Sequence, residues 1–452
     1  MSQPTSARNA TGISLITATA IVIANMIGTG IFTSLGFQVG DLPSGFVIVV
    51  LWAIGGLCAF CGALAYGELA AAMPRSGGEY HFLSKAFHPC VGFVAGWLSA
   101  TVGFAAPIAL AAMALGKYFS GISTSVPPLA VSLAVVMLVT FIHAQGVHVG
   151  ARFQNVATWL KVLLILVFIV AGLAAPEAEA QPVSFLPGEG DWRLITSPPF
   201  AISLVFVMYS YAGWNAATYI VDEVREPRRN VPLAVAIGTF FVSLLYIALN
   251  AVFMRVTPLG ELAGKVDVGH AAADHIFGAT GGSIMSGLIC LGLVSSISAM
   301  TWVGPRVTMV LGQDVSLLSP LSRLTSSGVP LRALLVQLAI VVVLLLTASF
   351  EKVLGYVQFS IQMCSFLTVC GLIRLRRTHP DLPRPLRCWG YPVTPVLFLA
   401  ISAWMMAYQM KEHPSESIAG LLTVAAGLLI WKISSQSEEH TSELQSDVCS
   451  SD

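Results

Sequence analysis

A chain of 452 residues would ordinarily hold about three soluble domains, but 56% of its residues are hydrophobic and only 10% charged, against roughly 45–50% and about 25% in soluble domains. The formal net charge is zero, which leaves no electrostatic footprint for nucleic acid. The apolar residues come in blocks near the ~20 that cross a bilayer as a helix, so the composition excludes a soluble enzyme and predicts an all-α polytopic membrane protein.

The first twelve residues are polar, and the apolar run that follows is too long for the core of a cleavable signal. Twelve transmembrane helices are predicted, over 13–40, 44–72, 86–119, 127–146, 153–174, 198–222, 232–254, 281–311, 331–349, 352–374, 393–410 and 416–433. Several exceed 25 residues, so tilt or interruption is expected. From Ser437 the chain turns abruptly polar. The stretch 437–452, with His440 and Cys449, resembles the translation of a sequencing-adapter fragment and is set aside from fold reasoning.

Sixteen of the 23 Lys and Arg fall between spans on one side, among them Arg8, Arg152, Arg228, Arg374, Arg376 and Arg377, and six fall on the other, including Lys117, Lys265 and Lys411. By the positive-inside rule both termini are cytoplasmic. Lys161 is left over, inside span 5. Cys58 and Cys61 form a CxxC within an apolar span, where reduced small side chains are expected.

Two spans carry interruptions at their middles: Gly28-Thr29-Gly30 in span 1 and Ser210-Tyr211-Ala212-Gly213-Trp214 in span 6. Isolated glycines, such as Gly92 and Gly96, serve close helix packing. Two clusters at matching positions of two five-helix halves instead point to an inverted-repeat transporter and its binding site. The halves are then 13–174 and 198–374, preceded by a cytoplasmic segment 1–12 and followed by two additional helices within 393–433. Unwinding frees N–H and C=O groups that lipid cannot satisfy. The freed N–H groups suit a carboxylate and the freed carbonyls suit an ammonium group. An α-amino acid carries both, and neither break contains a charged side chain.

The motifs that flank these breaks resemble those of the amino acid–polyamine–organocation (APC) superfamily. Met26-Ile27-Gly28-Thr29-Gly30-Ile31-Phe32 resembles its helix-1 signature. Pro74-Arg75-Ser76-Gly77-Gly78-Glu79-Tyr80 resembles its turn between helices 2 and 3. Tyr211-Ala212-Gly213-Trp214-Asn215 and Asp222-Glu223-Val224-Arg225-Glu226-Pro227 are similar to the L-type amino acid transporter branch. The resemblance implies a LeuT-like 5+5 inverted repeat with broken helices 1 and 6, in a bacterial cytoplasmic (inner) membrane. It implies that Thr29 and Gly30 bind the substrate carboxylate and that Gly28 supplies backbone freedom. Carbonyls of Ile27, Tyr209, Ser210 and Ala212 would take the amino group, and Tyr209 would be the aromatic gate, with Trp214 and Asn215 just below. Asp222-Glu223 and Glu226-Pro227 depart from the family's usual Glu-Glu and Asn-Pro. The loop near Gly121–Val126 lacks the cysteine by which animal members hold a glycoprotein subunit, so no disulfide-linked partner is expected.

Lys161 lies an estimated eight or nine residues inside span 5, about 12–13 Å at 1.5 Å per residue, where a charge is costly and functional by default. The alternative is snorkelling toward the cytoplasm. The resemblance implies that its ammonium group takes the place of a sodium ion and ties helix 1 to helix 5. Ser99, Thr101, Ser295, Ser296 and Ser298 are candidates either for pocket lining or for core packing. His270, Asp274 and His275 in an outer loop make a weak metal constellation, and His143 and His148 carry no clear signal. The expected activity is sodium-independent secondary transport of neutral L-amino acids, by exchange or proton coupling, with no metal or cofactor. A cationic amino-acid or polyamine permease would need an acidic pocket residue, and the intramembrane acid identified is Glu68, near the cytoplasmic end of span 2. A membrane enzyme would need clustered His, Cys or carboxylates at membrane depth. A non-transporting sensor of the same fold remains an alternative.

Overall fold

The computed structural model describes residues 13–146, 151–175 and 181–449. Arg8 and His148, and the side chains of Arg152, His440 and Cys449, lie outside that description. The described residues are helical, apart from turns, loops and one isolated parallel bridge between Ile13 and Val224.

In chain order the helices that carry the argument are α1 (Leu15–Met26), α2 (Gly30–Thr33), α3 (Gly45–Ala72), α4 (Gly78–Ala86), α5 (Pro89–Leu98), α6 (Ala105–Ser120), α7 (Pro128–Ala144) and α8 (Ala151–Ala174). They continue as α9 (Pro198–Tyr211), α10 (Pro227–Val256), α11 (Val268–Asp314), α12 (Leu331–Thr347), α13 (Phe350–Thr378), α14 (Val393–Glu412) and α15 (Pro414–Cys449). Among the described residues, eight helices are long and apolar enough to cross a bilayer, and Pro128–Ala144, Thr158–Ala174, Pro198–Tyr211 and Leu331–Thr347 are shorter apolar helices. The chain is therefore a multi-pass membrane protein.

Local chemistry sets many of the helix starts. Ser44, Ser197 and Ser349 cap α3, α9 and α13 by accepting from the backbone N–H groups of Val47, Phe200 and Lys352, and Pro89, Pro128, Pro198 and Pro227 occupy first-turn positions. Both devices satisfy or dispense with N–H groups that a helix start leaves orphaned. The stretch predicted as one span over 86–119 is one continuous helix, Pro89–Ser120, that widens into a π-helical turn at Ser99–Gly103 between α5 and α6. The helix predicted over 281–311 follows a break at Gly278 (φ 72°, ψ 173°), which divides it from a shorter helix that starts at Val268; α11 denotes the two together.

Lipid offers helices no hydrophobic reason to associate, so packing and interhelical hydrogen bonds hold the bundle. Trp52 Nε1 donates to Gln38 Oε1 at 3.0 Å. Tyr118 donates to the Phe32 carbonyl at 2.6 Å and accepts from the Gly269 N–H at 3.0 Å. Tyr211 donates to the Trp52 carbonyl at 3.1 Å. At the Arg-rich end, Glu68 on α3 is fully enclosed between Arg376 of α13, at 2.8 Å to its Nε, Arg384 of the following loop at 3.3 Å, and the Cys388 N–H at 2.7 Å.

Candidate functional site

The first break lies between α1 and α2. Ile27 ends α1 with ψ 85°, and its N–H still reaches the Ile23 carbonyl. The Gly28 N–H turns back on the Met26 carbonyl at 2.8 Å, while among the described residues the N–H groups of Thr29 and Gly30 meet no backbone carbonyl. The second break follows Tyr211. Ala212 turns out of the helix at ψ 148°, with its N–H on the Tyr209 carbonyl at 3.0 Å, and Gly213 takes φ +98°.

The two breaks are packed together. A Cβ on Gly30 would lie 2.5 Å from Ser210 Oγ and 2.6 Å from its Cα, and one on Gly213 would lie 2.8 Å from the Asn25 carbonyl oxygen. Glycine at both positions is thus a condition for the breaks to touch, and Gly213 needs its positive φ as well. Gly28, to which the reading above assigns backbone freedom, has room: its Cβ would meet only the Met26 oxygen at 3.9 Å. Ser210 Oγ donates to the Phe206 carbonyl at 2.9 Å, and Ser34 Oγ meets both Ser210 Oγ (2.9 Å) and the Phe206 carbonyl (3.2 Å). Tyr209 is buried beside the Thr29 side chain. Ile27, Thr29 and Ser210 are buried, whereas Gly28, Ala212, Gly213 and Asn215 are half-buried and Asn25 is exposed. The exposed side of the two breaks is therefore that of Asn25. On the far side Phe37 stacks between Phe206 (5.1 Å) and Phe350 (5.7 Å).

The other candidates separate. Trp214 packs edge-on against Tyr66 at 4.7 Å, and the Tyr66 hydroxyl donates to Glu79 Oε1 at 2.6 Å, which also accepts from Ser365 at 3.1 Å. Thr101 Oγ1 donates to the Trp97 carbonyl of its own helix, and Ser99 begins the π-helical turn. Ser298 meets His143 Nε2 at 3.0 Å, joining α11 to α7, so the histidine that carried no signal has a buried partner. Ser295 is buried in the same helix.

Lys161 is buried, and its Nζ donates to Ser296 Oγ at 2.7 Å. Its alkyl stem lies over Gly292, whose hydrogen leaves the space for it. The hydrogen bond therefore joins α8 to α11, where the sequence reading expects a tie to helix 1. No carboxylate pairs with the ammonium group among the described residues. Helix 1 is instead held by a residue that reading did not single out: Tyr246 on α10 donates to the Met26 carbonyl at 2.6 Å. A tyrosine within an apolar span was the available signal, since its hydroxyl needs a partner there.

The outer constellation resolves into pairs. His275 Nε2 lies 2.8 Å from Glu261 and His270 Nε2 lies 3.4 Å from Asp274. The His275 hydrogen bond holds the Glu261 carboxyl below its usual range. Among the described residues no three His, Cys, Asp or Glu could hold one metal ion.

Membrane-crossing helices carry two broken segments in contact, and the chain's family and relatives mark it as a transporter rather than an enzyme. The chain belongs to the amino acid permease family, whose model matches residues 13–430. It is 25% identical to b(0,+)-type amino acid transporter 1 of Mus musculus over 93% of this chain and 87% of that protein. It is 25% identical to Asc-type amino acid transporter 1 of Mus musculus over 93% and 80%, and 26% identical to the cystine/glutamate transporter of Homo sapiens over 92% and 83%.

Proposed function

We propose that this protein is a sodium-independent secondary transporter of neutral L-amino acids, working by alternating access through exchange or proton coupling. The observation that carries the reading is the contact between the two breaks at Gly30 and Ser210, beside N–H groups of Thr29 and Gly30 that meet no backbone carbonyl among the described residues. A substrate carboxylate answers those donors. The carbonyls of Ile27, Ser210 and Ala212 answer its ammonium group, with that of Tyr209 sharing its remaining lone pair. Tyr209 is the gate residue, and Lys161, held at Ser296, supplies the fixed cation that makes sodium unnecessary. Relatives named as amino acid transporters along most of this chain support the substrate class.

The topology proposed with it is twelve crossings in a 5+5 inverted repeat plus two C-terminal helices, with both termini on the Arg-rich, cytoplasmic side of a bacterial inner membrane. A cationic substrate is less well served: Glu68 is already enclosed by Arg376, Arg384 and a backbone N–H, and Glu79 by two hydroxyls.

Proteoliposome flux with a panel of labelled amino acids tests the reading. Uptake of one or more neutral amino acids should be equal in sodium and choline buffers and should depend on internal substrate or on pH. Strict sodium dependence, preference for a cationic substrate, or binding without flux would overturn it.

A further inference from the structure

At the Arg-poor end a narrow cleft opens between α9, α13, α14 and α15, with Phe206, Glu351, Gly355, Gln409, His413 and Glu416 in its lining. Two of its buried polar groups, Gln409 Oε1 and the Glu416 carboxylate, are acceptors, and the first lacks a donor among the described residues. Gln409 is 1% exposed. Its Nε2 donates to the Gly355 carbonyl at 2.8 Å, which settles the orientation of the amide, and its Oε1 is buried without a hydrogen-bond partner. Glu416 is 8% exposed, and its carboxylate accepts from the neighbouring Ser415 hydroxyl at 2.7 Å. Neither Glu416 nor Glu351 forms an ion pair among the described residues, and Lys411 nearby in sequence is engaged with Glu412 at 3.5 Å. A buried acceptor left unsatisfied costs about 1–3 kcal/mol, and more when charged.

The acceptors call for a positively charged donor. The lining carboxylates and histidine do not converge on one point as metal ligands, so the fit is to a group with several diverging N–H bonds. We propose that this cleft binds a primary ammonium group, separately from the substrate site, with the Glu416 carboxylate and Gln409 Oε1 as its buried acceptors and the exposed Glu351 at the mouth. The enclosed space, about 20 Å³, takes little more than one water-sized group, so an ammonium group would enter it while the rest of a molecule such as ethanolamine lies at the open mouth. Two sources carry that chemistry: the headgroup of phosphatidylethanolamine and a free amine in the adjoining water. An occupant would also brace Phe206, whose carbonyl receives Ser34 and Ser210 beside the helix-1 break.

The test is ligand-observed NMR titration of ethanolamine into the full-length protein in phosphatidylcholine nanodiscs, with tetramethylammonium, which has no N–H donor, as the control. Ethanolamine should bind saturably and tetramethylammonium should not. Glu416→Gln should weaken ethanolamine about thirtyfold or more and Gln409→Met about tenfold. Glu351→Gln, at an exposed position that leaves the fold unchanged, should weaken it by a smaller factor. In nanodiscs containing phosphatidylethanolamine, loss of the ethanolamine signal, with that lipid retained by the wild type but not by Glu416→Gln in native mass spectra, assigns the lipid headgroup. An unchanged signal assigns a free amine. No saturable ethanolamine binding, equal binding of tetramethylammonium, or binding that survives both Glu416→Gln and Gln409→Met would overturn the proposal.

Discussion

Lys161 was conspicuous as a lone charge within an apolar span, but its partner was not. The side chain runs over Gly292 to Ser296, and only the packing of α8 on α11 brings those residues together, because they are more than 130 positions apart. A hydrogen bond to a charged group is worth about 1.5–3 kcal/mol. Ser296→Ala should therefore change the apparent affinity at one membrane face by about tenfold, read as KM in oriented proteoliposomes, and Lys161→Ala should change it at least as much. Lys161→Arg should rescue poorly, since a planar fork does not replace a compact ammonium group. Equal KM values for all three variants and wild type would reduce Lys161 to a snorkelling residue. Tyr246 makes the complementary case. Its hydroxyl meets the last carbonyl before the helix-1 break, so Tyr246→Phe removes one donor and leaves the ring in place. Turnover should fall by about threefold to tenfold, for a bond of roughly 0.5–1.5 kcal/mol, with the melting temperature nearly unchanged. Unaltered turnover would show that this bond does not hold the break in its working shape.

At the scale of the broken helices, the glycines divide by geometry. The sequence treats Gly28 and Gly30 as one motif, but only Gly30 faces the opposite break, and Gly213 combines a positive φ with contact to Asn25. Gly213→Ala should accordingly destabilise the protein by about 1–3 kcal/mol, the usual cost of holding a residue in a sparsely populated backbone region, and abolish flux. Gly28→Ala should retain most activity. A thermal-melting series with flux measured on the same preparations checks both, and the reverse order would mean that the breaks separate in the working state. The positions of the breaks were legible because glycine clusters within apolar runs are uncommon and matched. Their contact was not, because it depends on how α2 lies against α9.

For the molecule as a whole, the Arg-rich end is tied by Glu68, which joins α3 to α13 and to the loop after it. Removing one partner of a buried ion network costs about 3–5 kcal/mol, so Glu68→Ala should lower thermal stability by that order, measured by unfolding in detergent; a change within error would show that the arginines find water instead. Cysteines placed at Arg228 and Arg376 should label from the cytoplasm and one at Lys265 from outside, and any other pattern breaks the twelve-crossing topology. What the sequence determined by itself was the class of the molecule. That the chain crosses a bilayer more than once, and where two of its helices unwind, follow from composition and periodicity, because a bilayer tolerates few arrangements of backbone polar groups. Tertiary structure decided the partners. Glu68, His143, Lys161 and Tyr246 each satisfy a polar atom with a group distant in the chain, and a hydrogen bond is short enough that only the packed coordinates of two helices can bring its ends together.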